Sequence, residues 1–270
     1  MGNTNNIKNK KMNVPTMAEM MAQGKQPEVL FWVGCAGSFD DRAKKITKAF
    51  VKILQKSNVD FAVLGTEESC SGDPAKRAGN EFLFQMQAMT NIQVLNAYEV
   101  KTIVTACPHC FNTLKNEYPE LGGNYQVMHH TEFLKKLLDD GRLTIEGGQF
   151  KGKRITFHDP CYLGRANKIY EAPRELIQKL EVELLEMKRC KSNALCCGAG
   201  GAQMFKEAEK GKKEIFIERT EEALSTQPDI VATGCPFCNT MITDGVKNKE
   251  KEGSVKVLDI AELIANASDL

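Results

Sequence analysis

The segment Val29-Leu30-Phe31-Trp32-Val33-Gly34-Cys35 decides the fold. It is an apolar run of strand length that ends on a glycine and then a thiol. Working outward, the theme repeats. Ala43, Ile46, Phe50, Ile53 and Leu54 follow at helical spacing. A second strand over 61–64 leads to Ser69-Cys70-Ser71-Gly72, and a helix with Phe82, Met86 and Met89 on one side comes next. A strand over 102–105 runs into Cys107-Pro108-His109-Cys110, followed by a helix over 111–116, a strand over 126–128 and a helix over 132–138.

Residues 139–153 are polar and rich in glycine, with a hairpin expected around Gly147-Gly148. After them the order starts again. A strand over 155–157 precedes Cys161, a helix covers 173–180, and a strand over 183–187 leads to Cys196-Cys197-Gly198. A charged helix over 208–224 follows, with 206–213 as a solvated face. A strand over 230–233 enters Cys235-Pro236-Phe237-Cys238, and a strand over 255–258 and a helix over 260–265 close the chain. Strands alternating with helices predict an α/β protein with parallel sheets. The division is an N-terminal arm over 1–27 and two tandem, similar Rossmann-like domains over 28–140 and 154–270. Each places its cysteines just past strand C-termini, the rim where open α/β sheets bind ligands.

The cysteines themselves are duplicated. Cys35 to Cys161 and Cys70 to Cys196 are each offset by 126, and Cys107 to Cys235 by 128. Cys35, Cys70, Cys107 and Cys110 form one copy. Cys161, Cys196, Cys197, Cys235 and Cys238 form the other, and Cys190 stands outside both. A net charge of +1, from 36 Lys+Arg against 35 Asp+Glu, gives no reason to expect a nucleic-acid partner. Neither a secretory signal nor a run of about 18 apolar residues is present. The expectation is a cytoplasmic chain that is not an integral membrane protein and meets a membrane only through a partner. In that compartment disulfides rarely persist, so ten thiols point to metal or redox chemistry.

Structural zinc is the plain alternative, but such sites use two close ligand pairs, and each copy here has one C-x-x-C. Adjacent Cys196 and Cys197 serve two irons of a cluster more easily than one tetrahedral ion. Gly198, Gly200 and Gly201 let the backbone turn its N–H groups toward sulfur. Pro108 and Pro236 can each start a helix whose positive end faces an anionic cluster.

The pattern Cys161 … Cys196-Cys197-Gly198 … Cys235-Pro236-Phe237-Cys238 resembles the cysteine-rich "CCG" family. That family includes the B-type component of heterodisulfide reductase and the iron–sulfur subunits of glycolate, lactate and anaerobic glycerol-3-phosphate oxidation. His158-Asp159-Pro160-Cys161-Tyr162-Leu163-Gly164-Arg165 and Cys70-Ser71-Gly72-Asp73-Pro74-Ala75 resemble the catalytic, D-type branch of heterodisulfide reductase. The resemblance spans about 28–265. It implies tandem α/β domains, a noncubane [4Fe-4S] cluster on the five-cysteine motif, and reduction of a disulfide there. Ser71 stands where the second copy has Cys197, so the first copy has four thiols. It can hold a cubane cluster, use Ser71 as a ligand, or hold nothing. A ferredoxin-like C-x₂-C-x₂-C-x₃-C-P segment is absent, so a ferredoxin-like iron–sulfur subunit or a flavoprotein subunit is expected to deliver electrons.

The expected function is an iron–sulfur subunit of an oxidoreductase, relaying electrons and reducing a disulfide-type acceptor. The alternatives are a zinc-stabilised scaffold and a pure electron-transfer subunit of a lactate- or glycolate-type dehydrogenase. His158, Asp159 and Arg165 are the catalytic candidates; a hydrogen-bonded His and a loop-organising Asp are the simpler reading. Arg174 is a further anion-binding candidate, against plain surface charge. His129-His130 reads as a helix-start cap, His109 as exposed beside its site, and Met17, Met20, Met21, Met86 and Met89 as core or interface packing. No Walker or G-x-G-x-x-G motif supports nucleotide binding.

Overall fold

The computed structural model describes residues 14–207 and 210–270. It contains two four-stranded sheets, every pairing parallel. The first has the order β2-β1-β3-β4, from β1 (Val29–Trp32), β2 (Phe61–Ala62), β3 (Thr102–Thr105) and β4 (Gln126–His129). The second has the same order, β6-β5-β7-β8, from β5 (Arg154–Phe157), β6 (Glu183–Leu185), β7 (Ile230–Thr233) and β8 (Lys256–Asp259). The central strands β1 and β7 are buried along their whole length, as apolar strands between helical layers must be.

In each sheet the chain leaves the first strand on one side and returns on the other. The reversal lies between β1 and β3, and between β5 and β7. That is the topological switch point, where a crevice opens at the strand C-termini. Cys35 and Cys107 emerge on either side of the first crevice, Cys161 and Cys235 on either side of the second.

The halves exchange helices. Helix Ala43–Lys56 of the first half packs on Ile260–Ala267 of the second, and His130–Asp139 packs reciprocally on Glu171–Gln178. One apolar core therefore runs through both, from Phe31, Phe50 and Phe133 to Phe157, Ile177 and Ile264. Arg42 clasps Glu262 across the junction at 2.7 and 2.8 Å.

Several local expectations change. The strand predicted over 61–64 stops at Ala62, because Val63 pairs instead with Thr16. Val63 accepts from the Met17 N–H and donates to the Pro15 carbonyl. The described part of the arm is thus fastened to the first sheet. Helix Met17–Ala22, closed by a Thr16/Glu19 capping box, buries Met17 and Met20; residues 1–13 of the arm lie outside the described residues. The turn at Gly147-Gly148 is a 3₁₀ turn, Gly148–Phe150, that buries Phe150. The helix expected from 208 begins at Ile215, with Glu214 as its N-cap, so the described part of 206–213 is not a helix face; residues 208 and 209 lie outside the description. Met21, Met86 and Met89 are exposed, as is Phe82. No helix among the described residues is long and apolar enough to cross a membrane.

Candidate metal centre

Each half gathers its thiols from three chain segments. In the first, Cys35 lies in the short helix Gly34–Phe39 after β1, Cys70 in the loop after β2, and Cys107 and Cys110 at the start of helix Pro108–Asn112 after β3. Cys35 and Cys70 are half-buried, and Cys107 and Cys110 are buried. Gly34 has φ +77°, and a side chain there would put its Cβ 3.4 Å from the Cys110 sulfur. Half-buried Glu68 accepts from the Val33 and Gly34 N–H groups at 2.9 and 2.6 Å, fixing the turn into Cys35. Burial pushes the Glu68 carboxyl up to about 7.

The second half repeats the plan. Cys161 follows β5, Cys196 and Cys197 lie in the loop after β6, and Cys235 and Cys238 flank the start of helix Pro236–Asn248. The matched loops share one device. Gly72 at φ +88° donates its N–H to Cys70 Sγ at 3.5 Å, and Gly198 at φ +89° donates to Cys196 Sγ at 3.3 Å. Only glycine adopts this left-handed turn without strain. Ser71 occupies the place of Cys197: its hydroxyl donates to Cys110 Sγ at 3.5 Å, while Cys197 hydrogen-bonds Cys238.

The two sets meet. Cys107 of the first half is hydrogen-bonded to Cys235 of the second. The sulfur electrostatics follow from this crowding. The hydrogen bond with Cys35 lowers the Cys70 thiol to about 6. Bonds from Cys161 and Cys197 lower Cys196. Burial raises Cys235, but bonds from Cys107 and Cys238 outweigh it and bring it down to about 6. The other thiols are raised: Cys35 by Cys70, Cys161 by Cys196, and Cys197 to about 12 by Cys196. Neighbouring sulfurs cannot all ionise unless a cation sits among them, and bound metal deprotonates coordinating thiols outright.

The family described as "Cysteine-rich domain" (CCG) matches residues 29–115 and 155–243. The chain belongs to the CCG family. Among curated proteins it is 47% identical over 255 residues to the "Probable iron-sulfur-binding oxidoreductase FadF" of Bacillus subtilis, covering 94% of this chain and 36% of that protein. It is 44% identical to the "EtfAB:quinone oxidoreductase" of Syntrophomonas wolfei, covering 91% of this chain and 35% of that protein. It is 32% identical to the D-type component of the dihydromethanophenazine:CoB--CoM heterodisulfide reductase of Methanosarcina barkeri, over 90% of this chain and 59% of that one. The chain thus spans about a third of the first two relatives.

The donor set of both CCG repeats fits an iron–sulfur cluster: sulfur is the common ligand atom, and the sets are partly shielded from water. A ring nitrogen of His158 lies within 4.8 Å of Cys197 and Cys238 Sγ. Asp159 gives both oxygens to Arg174 at 2.8 and 2.9 Å and also accepts from the Lys191 N–H at 2.7 Å. Arg174 is buried between Asp159 and Glu186, so it is a loop organiser and not a free anion binder. Exposed Arg165 donates to the Ala194 carbonyl, fastening the segment that leads into Cys196. Gly200 faces the His109 ring, while Gly201 turns at φ +67° in open space.

His109 is buried, contrary to the exposed position expected of it. It pairs with Asp73 at 2.9 Å and packs against Tyr162 and Phe237 of the other repeat. His129 is the expected cap, heading helix His130–Asp139 with a capping box. Both histidines are also fully buried at the junction, where His130 bonds His129 at 3.1 Å and Asp259 at 2.9 Å. Sequence reasoning missed Glu68, Asn91 and Arg219. Asn91 donates to the Cys70 carbonyl at 2.9 Å, and Arg219 Nε donates to His158 Nδ1 at 2.9 Å. Only Asn91, an amide among apolar residues of helix Glu81–Ala97, left a signal in the sequence.

Proposed function

We propose that this chain is the iron–sulfur, electron-transferring part of an oxidoreductase. Cys161, Cys196, Cys197, Cys235 and Cys238 would hold one [4Fe-4S] cluster, and Cys35, Cys70, Cys107 and Cys110 a second. The observation that carries the reading is the gathering of four thiols in one repeat and five in the other, with Cys107 of the first against Cys235 of the second. A bound cluster supplies one-electron chemistry, and sites in contact allow transfer between them. Gly72, Gly198 and the sulfur-rich walls hold the ligands in place. The half-buried Cys35, Cys70, Cys161 and Cys196 are the edges a redox partner can approach. That partner would be a ferredoxin-like or flavoprotein unit, consistent with relatives about three times as long as the aligned part.

The finer reading places a disulfide-type acceptor at the second set. Its support is the fifth thiol, the similarity to a heterodisulfide reductase component, and a groove of about 1050 Å³ beside Gly198, Met204, Phe216 and Met241. Two electrons and two protons would convert one disulfide to two thiols, the electrons arriving singly from the partner.

Anaerobic purification with iron, sulfide and zinc analysis tests the assignment. Brown protein with iron and acid-labile sulfide in near-equal amounts is expected. Colourless protein holding stoichiometric zinc would sink it and favour a zinc scaffold.

A further inference from the structure

Among the described residues, two buried ring N–H groups lack a protein partner, and they occupy matched positions. Trp32 stands three residues before Cys35, and His158 three residues before Cys161. Both side chains are wholly buried, and Trp32 Nε1 and His158 Nε2 make no hydrogen bond. An indole N–H can only donate. The imidazole is fixed by its neighbour: His158 Nδ1 receives Arg219 Nε at 2.9 Å, and a guanidinium has no lone pair to offer. Nδ1 therefore carries the lone pair, and the proton of the neutral ring sits on Nε2. The same argument removes His158 as a metal ligand through Nε2, since that nitrogen has no lone pair free.

Buried donors are nearly always paired. Here two unpaired ones sit at the same point of a duplicated scaffold. Trp32 packs in one cluster with Cys107 and Cys110. The ring of His158 lies within 4.8 Å of Cys197 and Cys238.

We infer that Trp32 Nε1–H and His158 Nε2–H are positioning donors, each hydrogen-bonded to sulfur of the cluster held by its own repeat, and that they raise the reduction potential there. The inference rests on the iron–sulfur reading above. A donor at sulfur favours the more anionic, reduced state, so its loss lowers the potential. Arg219 acts one step behind, by holding the tautomer.

The test is a potentiometric titration followed by electron paramagnetic resonance on anaerobically loaded protein, with iron and sulfide measured on each sample. Trp32 is the only tryptophan. Growth on the benzothiophene analogue, with sulfur in place of N–H, therefore removes that donor alone and keeps the ring shape. His158→Phe removes the other, and His158→Gln retains a side-chain N–H together with an acceptor for Arg219. Each loss should lower the reduction equilibrium constant of one signal about tenfold, or about 59 mV for one electron. The other signal should stay in place, iron content should hold, and His158→Gln should recover most of the shift. If His158→Phe fails to load, the Trp32 analogue and His158→Gln still decide. Potentials that stay put in fully loaded analogue protein and His158→Phe, or a Gln variant shifted as far as Phe, overturn the inference and leave the cluster reading intact. Wild-type protein without iron and sulfide overturns both.

Discussion

The first and second cysteine sets are one scaffold lined differently. Both hang from the same strand order, turn on a left-handed glycine and begin a helix at a C-x-x-C. Their side chains differ. Ser71 stands where the second half has Cys197, Trp32 where it has His158, and the buried polar residue from the following helix is neutral Asn91 in one half and cationic Arg219 in the other. The backbone fixes where the thiols converge, and the side chains set how many there are and what field they feel.

The largest expected effect comes from making the second set resemble the first. Cys197→Ser should abolish or convert the second cluster's spectrum and leave the first unchanged; an unaltered spectrum with full iron would remove Cys197 from the ligand set. The converse, Ser71→Cys, should give the first set a spectrum like the second at constant iron. If it does not, the shared geometry is not enough to define the site.

Arg219→Met deletes the cation found only in the second half. It leaves His158 Nδ1 and the Arg189 carbonyl without the donor Arg219 supplies, and Glu222 with Arg189 alone. Breaking such a buried network costs roughly 3–5 kcal/mol. Denaturant unfolding of the metal-free protein should register it, and a loss below about 1 kcal/mol would show the arginine to be dispensable.

Acid should act through both halves. Burial lowers His158 to about 3 and holds His129 well below its usual range. With folded values depressed, their contribution is complete above the ordinary pKa of about 6.5 and is lost as pH falls below it, because the unfolded chain takes up protons first. Each imidazole contributes a slope of up to about 1.4 kcal/mol per pH unit. Thermal melts of metal-free protein from pH 7.5 to 5 should show the drop, and His158→Gln should flatten part of it. An unchanged slope in that variant would mean His158 is protonated in the fold. The smallest effect is expected on helix Glu81–Ala97. Phe82→Ser with Met86→Gln changes exposed side chains and should shift stability by no more than about 0.5 kcal/mol.

Much of this was readable in advance. The alternation of strands and helices, and the 126-residue offset, predicted parallel sheets with thiols at strand ends. The same offset paired Trp32 with His158, but a pairing of unlike rings looks like divergence until both N–H groups are seen to be buried and unpartnered. The contact of Cys107 with Cys235, the burial of His109 under Tyr162, and the bond from Arg219 to His158 join residues far apart in the chain. No local periodicity encodes them. The early end of β2 likewise depended on Thr16 arriving from elsewhere to pair with Val63.

The exchange of helices has a consequence for biosynthesis. Ile260–Ala267 closes the apolar layer over helix Ala43–Lys56. A nascent polypeptide that has already displayed Cys35 to Cys110 cannot seal that layer until Ile260–Ala267 has been made. A cluster held by the first set would reach its finished surroundings only after the second half is made. Cys107 meanwhile lacks its neighbour Cys235, so the first thiol set is incompletely covered in the interval, and slow translation without oxygen protection should give a product poor in iron.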